Sequence, residues 1–474
     1  MGEQGSITTV QGWSADPTSR PQCPQVHVDV GHLLRIPEDE AVVRVPEDEF
    51  ECLNLNITVP SGTKADAKLP TLIWIHGGSQ TVTFPSAASK CGDQTRIVAQ
   101  SIQEGRPIIF VSFNYRLNVF AFGDQTGEKN LALKDQKLAI AWVKNHIAGF
   151  GGDPERLTVA GESSGAVHAH AQLVADPTLS GVLASGSLYL SPPLPLSFGN
   201  SLLSRLSTTI SELHQGKTVA TAPAAAIVQA LSTHNVVSMF LQEDPSDHTL
   251  TNWQQLTPRI KRLMLGDVEH EASIWRNGQD PMSAASLVSA FDDTDPVNGP
   301  ALRRLYGIAP NRAHASRDGV VDFITDARFA LPVEDMWTAA RKEQGSSARW
   351  YRYLFDEPNP WHASSRAHHG VDLVMLFGGL DISHNPHAES VGHAWRSKWI
   401  TFVAGEEPWV KERRYAFGPF GQCRELDVEE GSGERGFSAR RRTRAMAKLR
   451  EMGWSAYNPI FFKVAAGKVS LVDA

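Results

Sequence analysis

The chain has 474 residues, of which 41% are hydrophobic and 20% are charged, and its formal net charge is −7. This length allows one oversized α/β domain or two to three ordinary domains, and the composition is that of an ordinary globular protein. The net negative charge argues against a surface that binds nucleic acid. No apolar run approaches the roughly 18 residues that a membrane-spanning helix requires.

The two ends of the chain and its cysteines give only weak signals. The N-terminal stretch has no apolar signal core, which predicts an intracellular location, or a secreted protein if the N-terminus has been trimmed. A basic tract at 434–450 is expected to be the solvated face of a C-terminal helix. Four cysteines are too few for a disulfide scaffold, and their spacing matches no metal site: Cys23, Cys52, Cys91 and Cys423.

Short apolar segments alternate with longer amphipathic ones, which is typical of a mostly parallel sheet covered by helices. The predicted strands are 53–59, 71–76, 108–113, 157–160, 187–190, 262–265 and 349–354. A helix is predicted over 131–147, with one face formed by Leu131, Leu138, Ala141 and Trp142.

Two long segments, 198–258 and 277–345, have helical and irregular patterns. Insertions of this kind at the carboxyl edge of a sheet usually form the walls and lid of a substrate pocket. Three tryptophans in or near them are expected to pack in the core rather than line a pocket: Trp253, Trp275 and Trp337.

The stretch Gly161-Glu162-Ser163-Ser164-Gly165 fits the pattern Gly-x-Ser-x-Gly and places Ser163 at its centre. The apolar residues before it predict a strand, and the alanine-rich segment 166–175 predicts a helix. A sharp strand-to-helix turn exposes the central hydroxyl at the positive end of the helix. Because glycine and serine are common turn residues, the pattern alone fits either a nucleophile or an ordinary turn.

A serine nucleophile also needs a histidine, a carboxylate and backbone N–H groups that stabilise an oxyanion. The strand that runs into His76-Gly77-Gly78-Ser79 predicts such a donor loop, in which Gly78 and Ser79 supply two N–H groups and Ser164 the third.

Several residues are candidates for the base and the acid. His368 and His369 lie on a loop beyond the last strong strand, where a base is required, whereas His168 and His170 are expected to be packed structural residues. Periodicity alone does not choose the acid among Asp267, Glu269, Glu271, Asp322 and Asp326.

The sequence resembles the type-B carboxylesterase/cholinesterase-like family of α/β-hydrolases over roughly residues 23–450. The resemblance rests on separate stretches in the family's order: 51–56, 74–78, 114–120, 130–136, 150–165 and 369–373. It implies a single α/β-hydrolase catalytic domain over 1–474, with a large mostly parallel central sheet and with 198–258 and 277–345 as the lid and pocket region.

The resemblance also implies residue roles. Ser163 matches the nucleophile, Glu271 the acid and His369 the base, while Gly78, Ser79 and Ser164 match the oxyanion hole. Two residues are expected just behind these groups: Glu162 and Ser191, the latter as a buried serine near the acid and base. Cys23 and Cys52 match the family's first disulfide pair, which would be joined in a secreted relative and reduced inside a cell.

Four residues depart from the family pattern: Ser79 for a glycine, Gln80 for an aromatic residue, Ser164 for an alanine and Ala272 for a glycine. None of these changes removes a catalytic group. The first three border the expected pocket, so they could alter which ester fits.

The leading prediction is a serine hydrolase that cleaves a small-molecule carboxylic ester through an acyl-enzyme and needs no metal or organic cofactor. The same triad would also serve an acyltransferase or a lactone-forming or lactone-opening enzyme of specialised metabolism. A non-catalytic binding protein of the same fold is a third alternative. The natural ester, the choice between hydrolysis and transfer, and the oligomeric state are left open by the sequence.

Overall fold

The computed structural model describes residues 20–37, 45–123, 128–347, 349–426 and 439–465. Its strands are β1 (Leu55–Thr58), β2 (Leu69–Ile75), β3 (Ile109–Phe113), β4 (Gly152–Glu162), β5 (Ser180–Ala184), β6 (Arg262–Val268), β7 (Arg349–Phe355), β8 (Arg414–Phe417) and β9 (Cys423–Leu426). They form one nine-stranded sheet in the order β1-β3-β2-β4-β5-β6-β7-β8-β9. The pairs β1/β3 and β8/β9 at the two edges are antiparallel, and the pairs between them are parallel.

Helices cover the sheet and connect its parallel strands. In chain order they are α1 (Val30–Leu34), α2 (Thr95–Gln103), α3 (Leu131–His146), α4 (Ser164–Ala175), α5 (Leu196–Leu213), α6 (Ala224–Thr233), α7 (His248–Thr251), α8 (Trp253–Leu256), α9 (Arg276–Gln279), α10 (Ala284–Asp292), α11 (Gly299–Leu305), α12 (Ala313–Thr325), α13 (Leu331–Gln344), α14 (Val371–Phe377), α15 (Pro386–Val403), α16 (Thr443–Met452) and α17 (Trp454–Ala465). A π-helical turn, Asp326–Ala330, joins α12 to α13. None of the helices among the described residues is long and apolar enough to cross a membrane.

The core lies on both faces of the sheet because side chains alternate along each strand. In β2, Leu72 and Trp74 belong to one buried apolar cluster, whereas Ile73 and Ile75 belong to another. Strands that are buried on both faces have continuous apolar sequences, and such sequences predict most of the parallel strands. The predicted α/β-hydrolase fold, with a mostly parallel sheet between helices, is confirmed.

Two local predictions are wrong. The segment 187–190 is a turn rather than a strand. The strand at this position in the sheet is β5, which begins at Ser180, seven residues before the predicted start. On α3, Leu138 is 69% exposed, and the buried side chains include Gln136, Ile140 and Val143 instead. The division of the chain into one domain over 1–474, with lid segments 198–258 and 277–345, stays a prediction.

Candidate active site

The turn between β4 and α4 holds Ser163 in an unusual backbone conformation, with φ 56° and ψ −126°. A non-glycine residue in such a region costs on the order of 1–3 kcal/mol and persists only where the surroundings enforce it. Here the Ser163 N–H donates to the Ala184 carbonyl at 2.9 Å. Gly165 lets α4 approach β2, since a Cβ there would lie 2.2 Å from the Ile75 carbonyl oxygen. The turn therefore presents the Ser163 side chain, which is half-buried, to a cavity above the sheet.

A second turn, at the end of β2, faces the same cavity. Gly78 has φ 103°, and a Cβ at this residue would lie 2.0 Å from the Val82 carbonyl oxygen, so only glycine fits. Ser79 and Gln80 continue the turn with φ 55° and 60°. Among the described residues, no hydrogen-bond acceptor contacts the N–H groups of Gly78 and Ser79. Free N–H groups in a rigid turn can stabilise an oxyanion.

Ser164 ties the two turns together. Its hydroxyl accepts a hydrogen bond from the Gln80 N–H at 3.2 Å, and its own N–H lies in the first turn of α4, where no intrahelical acceptor exists. The alanine that is usual at this position in the family could not make the bond to Gln80. The two departures from the family pattern, Ser164 and Gln80, are thus in direct contact.

The loops after β6 and β7 bring a histidine and a carboxylate together. His369 Nδ1 lies 2.5 Å from Glu271 Oε2, and Glu271 Oε1 accepts from the Val268 N–H at 2.8 Å. The His270 N–H donates to the Ala367 carbonyl at 2.9 Å and so joins the two loops through their backbones. Both Glu271 and His369 are buried, at 0% and 5% exposure.

The other ring nitrogen of His369 faces Glu162. Its Nε2 lies 3.2 Å from Glu162 Oε1, and no hydrogen bond joins His369 to Ser163 among the described residues. Glu162 is the neighbour of Ser163 in the chain and is fully buried. The structure therefore brings His369 beside the serine turn, with one carboxylate on each side of the imidazole.

A third buried carboxylate, Asp372, completes an acidic cluster. Burial raises the pKa of Glu162 to about 8 and that of Asp372 to about 7, and the other carboxylates of the cluster add to both shifts. Burial by itself would lower the pKa of His369, but Glu162 and Glu271 outweigh it and raise this pKa to about 9. The cluster thus favours a proton on the imidazole.

The remaining candidate acids are engaged elsewhere. Glu269 pairs with Arg366 at 2.9 Å, and Asp322 pairs with the same arginine at 2.9 Å. Asp267 and Asp326 bind arginines of the C-terminal tract, Arg441 at 2.6 Å and Arg442 at 2.7 Å. The expectation that the basic tract is solvated is wrong for these two arginines, whose side chains are 3% and 9% exposed.

The cavity above Ser163 has a volume of about 330 Å³. Its wall is mostly apolar, with serine and amide groups from the two turns and one charged residue among the described lining residues, Arg328. Trp275 and Trp454 also line it. The prediction that Trp275 packs only in the core is wrong, whereas Trp253 and Trp337 are buried in a core cluster as predicted, and Trp253 also borders a neighbouring cavity.

The two residues expected behind the reacting groups, Glu162 and Ser191, lie in different surroundings. Glu162 contacts His369 as described, but Ser191 is half-buried and lines the cavity wall. The buried serines in this region are Ser185, which follows β5 directly, and Ser187, at 0% and 1% exposure, and the sequence reasoning proposed a role for neither. The strand wrongly predicted at 187–190 explains the error, because it moved the expected strand end to Ser191.

His168 and His170 are packed structural residues, as predicted. Both are fully buried, where burial lowers their pKa values to about 3. Cys23 and Cys52 are buried neighbours recorded as free thiols, and a hydrogen bond with Cys52 raises the pKa of Cys23. The disulfide implied by the resemblance stays a prediction.

The serine turn, the loop after β2 and the buried histidine–carboxylate pair thus all lie at the carboxyl ends of parallel strands. A sequence profile of the carboxylesterase family matches residues 12–431. The chain belongs to the carboxylesterase family, and it is accordingly a carboxylic ester hydrolase.

Individual relatives place it more closely. Lipase 3 of Yarrowia lipolytica is 31% identical over 410 residues, which cover 82% of this chain and 78% of the lipase. A protein of Byssochlamys spectabilis named as an inactive carboxylesterase-like protein, VdtD, is 39% identical over 156 residues, or 32% of this chain and 25% of that protein. A solved PNB esterase structure has a TM-score of 0.64, with 22% identity and 87% coverage of both chains, and supports the fold.

Proposed function

We propose that Ser163, His369 and Glu271 act as nucleophile, general base and orienting acid in ester hydrolysis through an acyl-enzyme. The observation that carries this proposal is the buried 2.5 Å contact between His369 Nδ1 and Glu271 Oε2 beside the serine turn. A carboxylate at Nδ1 fixes the tautomer in which Nε2 of the neutral imidazole, once it has lost the proton that the acidic cluster favours, accepts the serine proton. Hydrogen bonds to the nucleophile are often long before substrate binds and tighten in the Michaelis complex.

In the first half-reaction, Ser163 Oγ attacks the ester carbonyl while His369 Nε2 takes its proton. The negative charge that develops on the carbonyl oxygen would be held by the N–H groups of Gly78, Ser79 and Ser164. The alcohol leaves with the proton from His369, and the acyl group stays on Ser163. Water, activated by the same imidazole, then releases the acid and restores the serine.

The non-catalytic alternative is motivated by the relative that is named inactive, although that match covers only a third of this chain. The sequence has a serine, a histidine and a glutamate at positions 163, 369 and 271, and the contact between His369 and Glu271 supports catalysis. Acyl transfer to an alcohol or amine would use the same first half-reaction. The intracellular or secreted location of the chain likewise stays a prediction.

The test is hydrolysis of 4-nitrophenyl acetate and octanoate by the wild type and by Ser163→Ala. We expect the variant to lose about a thousandfold or more in kcat, because removing a nucleophile removes the acyl-enzyme route. Ser101→Ala is the matched control, since Ser101 is a buried serine on α2 that does not line the cavity.

Labelling with a fluorophosphonate separates the alternatives. Labelling of Ser163 with fast ester turnover supports hydrolysis, and labelling with slow turnover that an added alcohol accelerates supports acyl transfer. If Ser163 is not labelled and neither ester is cleaved, the proposed mechanism is wrong.

A further inference from the structure

One charged side chain in the cavity has no role in the proposed mechanism. Arg328 lies in the π-helical turn Asp326–Ala330 and lines the cavity that contains Ser163. Helical turns of this kind are rare and are found frequently at functional sites. The turn places Arg328 and Phe329 together in the cavity wall, and Phe329 also contacts the His369 ring at 5.7 Å between centroids.

Within the described ranges, the Arg328 guanidinium makes its contacts with uncharged groups. Nη1 donates to Asn458 Oδ1 at 3.2 Å, and Nη2 donates to the Leu190 carbonyl at 3.1 Å. The group also lies over the rings of Phe461 and Trp454, at 4.1 and 4.8 Å. Its Nε is buried without a hydrogen-bond partner, and no carboxylate among the described residues forms an ion pair with it.

Other arginines show what this position lacks. Arg441 is buried, Arg442 is partly buried like Arg328, and each of the first two pairs with two carboxylates. Arg262 resembles Arg328, since it lies 3.8 Å over the Phe402 ring and donates to a carbonyl, but it does not line the cavity. Burial lowers the pKa of Arg328 to about 10, so the side chain is charged at neutral pH.

We propose that Arg328 binds a carboxylate carried by the substrate, so that the preferred esters are those with a second, ionised acid group. This inference rests on the proposed function, because it places the anion in the cavity that opens onto Ser163. The same cavity has no aspartate or glutamate among its described lining residues. It therefore suits an anionic ester better than a cationic one.

The physical reason is an unpaired cation in a largely apolar cavity. A carboxylate that accepts from a guanidinium forms a charge-assisted hydrogen bond, which is worth about ten- to a hundredfold in affinity at a site shielded from water. Trp454 and Phe461 hold the guanidinium in place without neutralising its charge. The acid group could belong to the acyl half or to the alcohol half of the ester.

Two substrate pairs distinguish these sources. For the acyl half, 4-nitrophenyl hydrogen glutarate is compared with 4-nitrophenyl pentanoate; for the alcohol half, 4-acetoxybenzoate is compared with 4-methylphenyl acetate. The selectivity is the ratio of kcat/KM for the anionic ester to that for the neutral one. It is measured for the wild type, Arg328→Met, Arg328→Lys and, as the matched control, Arg262→Met.

We expect Arg328→Met to lower the selectivity at least tenfold in one pair, while kcat/KM for the neutral ester changes less than about threefold. Arg328→Lys should retain part of the selectivity, because it keeps the charge but loses the planar fork. Arg262→Met should leave the selectivity unchanged. The pair that responds identifies the half of the ester that carries the acid.

An equal fall for anionic and neutral esters would overturn the proposal, since Arg328 would then only hold α17 in place. If Arg328→Met does not fold, inhibition of neutral-ester hydrolysis of the wild type by benzoate and by benzamide replaces it. Stronger inhibition by benzoate supports the proposal, and equal inhibition contradicts it. Hydrolysis of neutral esters and labelling of Ser163 test the proposed function, whereas the selectivity tests the role of Arg328. Either proposal can therefore fail while the other stands.

Discussion

Two clusters of buried charged side chains lie near the carboxyl ends of β6 and β7. They differ in whether arginines match the negative charges of their carboxylates. Around His369, three carboxylates share one imidazole: Glu162, Glu271 and Asp372. In the second cluster, four aspartates form ion pairs with four arginines. The aspartates are Asp267, Asp322, Asp326 and Asp356, and the arginines are Arg352, Arg366, Arg441 and Arg442.

The balanced group acts as a structural clamp. Arg441 bonds to Asp267 at 2.6 Å and to Asp356 at 2.5 Å, and its guanidinium also reaches the carbonyls of Asp267 and Phe355 at 3.2 and 3.3 Å. It therefore fixes the strand ends from which the acid and base loops start. The unbalanced group has no cation other than the imidazole among the described residues, so its excess charge acts on the pKa of His369. The ion pairs of the second cluster therefore stabilise the strand ends, and the carboxylates of the first cluster raise the pKa of His369.

The largest expected effect is that of Glu271→Gln, which removes the carboxylate at His369 Nδ1 but keeps the side-chain shape. We expect kcat to fall about a thousandfold to ten-thousandfold, because the wrong imidazole tautomer becomes favoured. Glu269→Gln, two residues earlier and paired with Arg366 rather than with the imidazole, should stay within about tenfold. Similar losses in both variants would mean that loop integrity, not the tautomer, explains the effect.

Arg441→Met tests the clamp. Removing one partner of a buried ion pair leaves uncompensated carboxylates, so the free energy of unfolding should fall by roughly 3–5 kcal/mol. Arg440→Met is the control, since the Arg440 side chain is 24% exposed and, among the described residues, forms one ion pair, with Asp356. Urea denaturation of both variants measures the difference, and equal losses would contradict the distinction between the two arginines.

Glu162→Gln tests, through the pH dependence of activity and stability, whether Glu162 raises the pKa of His369. Removing this carboxylate withdraws the charge that favours imidazolium, so the acidic limb of the kcat/KM profile should move to lower pH by about one pH unit. Because the folded pKa of His369 lies near 9, above its ordinary value, the stability from this charge is present below about pH 6.5 and is lost as the pH rises through 9. The variant should show a smaller loss of stability between pH 6 and 10, and an unchanged loss would show that Glu162 does not act on the imidazole.

Asp372→Asn should act in the same direction but more weakly. Its carboxylate is the smallest of the contributions that raise the pKa of His369. We expect a shift of the acidic limb by less than half that of Glu162→Gln. A larger shift than that of Glu162→Gln in the same pH titration would reverse the order of the two carboxylates.

Local patterns predicted the fold and the serine turn well. Buried parallel strands are continuous apolar segments, and the turn between β4 and α4 is specified by five consecutive residues, so both can be found from neighbours in the sequence. One exception, 187–190, is apolar enough for a strand but lies one turn beyond β5, and the edge strands β8 and β9 were not predicted. Short apolar runs of this kind do not separate strand from buried turn.

Features that depend on distant partners were missed. The basic tract looked solvated because its local charge is high, yet Arg441 bonds to Asp267, 174 positions away. Arg328 contacts Leu190 and Asn458, which lie 138 and 130 positions from it. These partners follow no spacing pattern in the sequence, so only the folded chain shows that Arg441 pairs with carboxylates and that Arg328 contacts uncharged groups.

The backbone bond from His270 to Ala367 has a consequence for protein engineering. Because this bond joins the acid and base loops directly, exchange of α5, α6, α10 or α11 would not remove it. The segment between α6 and α7 is different, since the Met239 N–H donates to the Ser79 carbonyl at 2.8 Å in the loop after β2. Grafts from other esterases that aim to change the substrate range should therefore retain Met239 together with the acid and base loops.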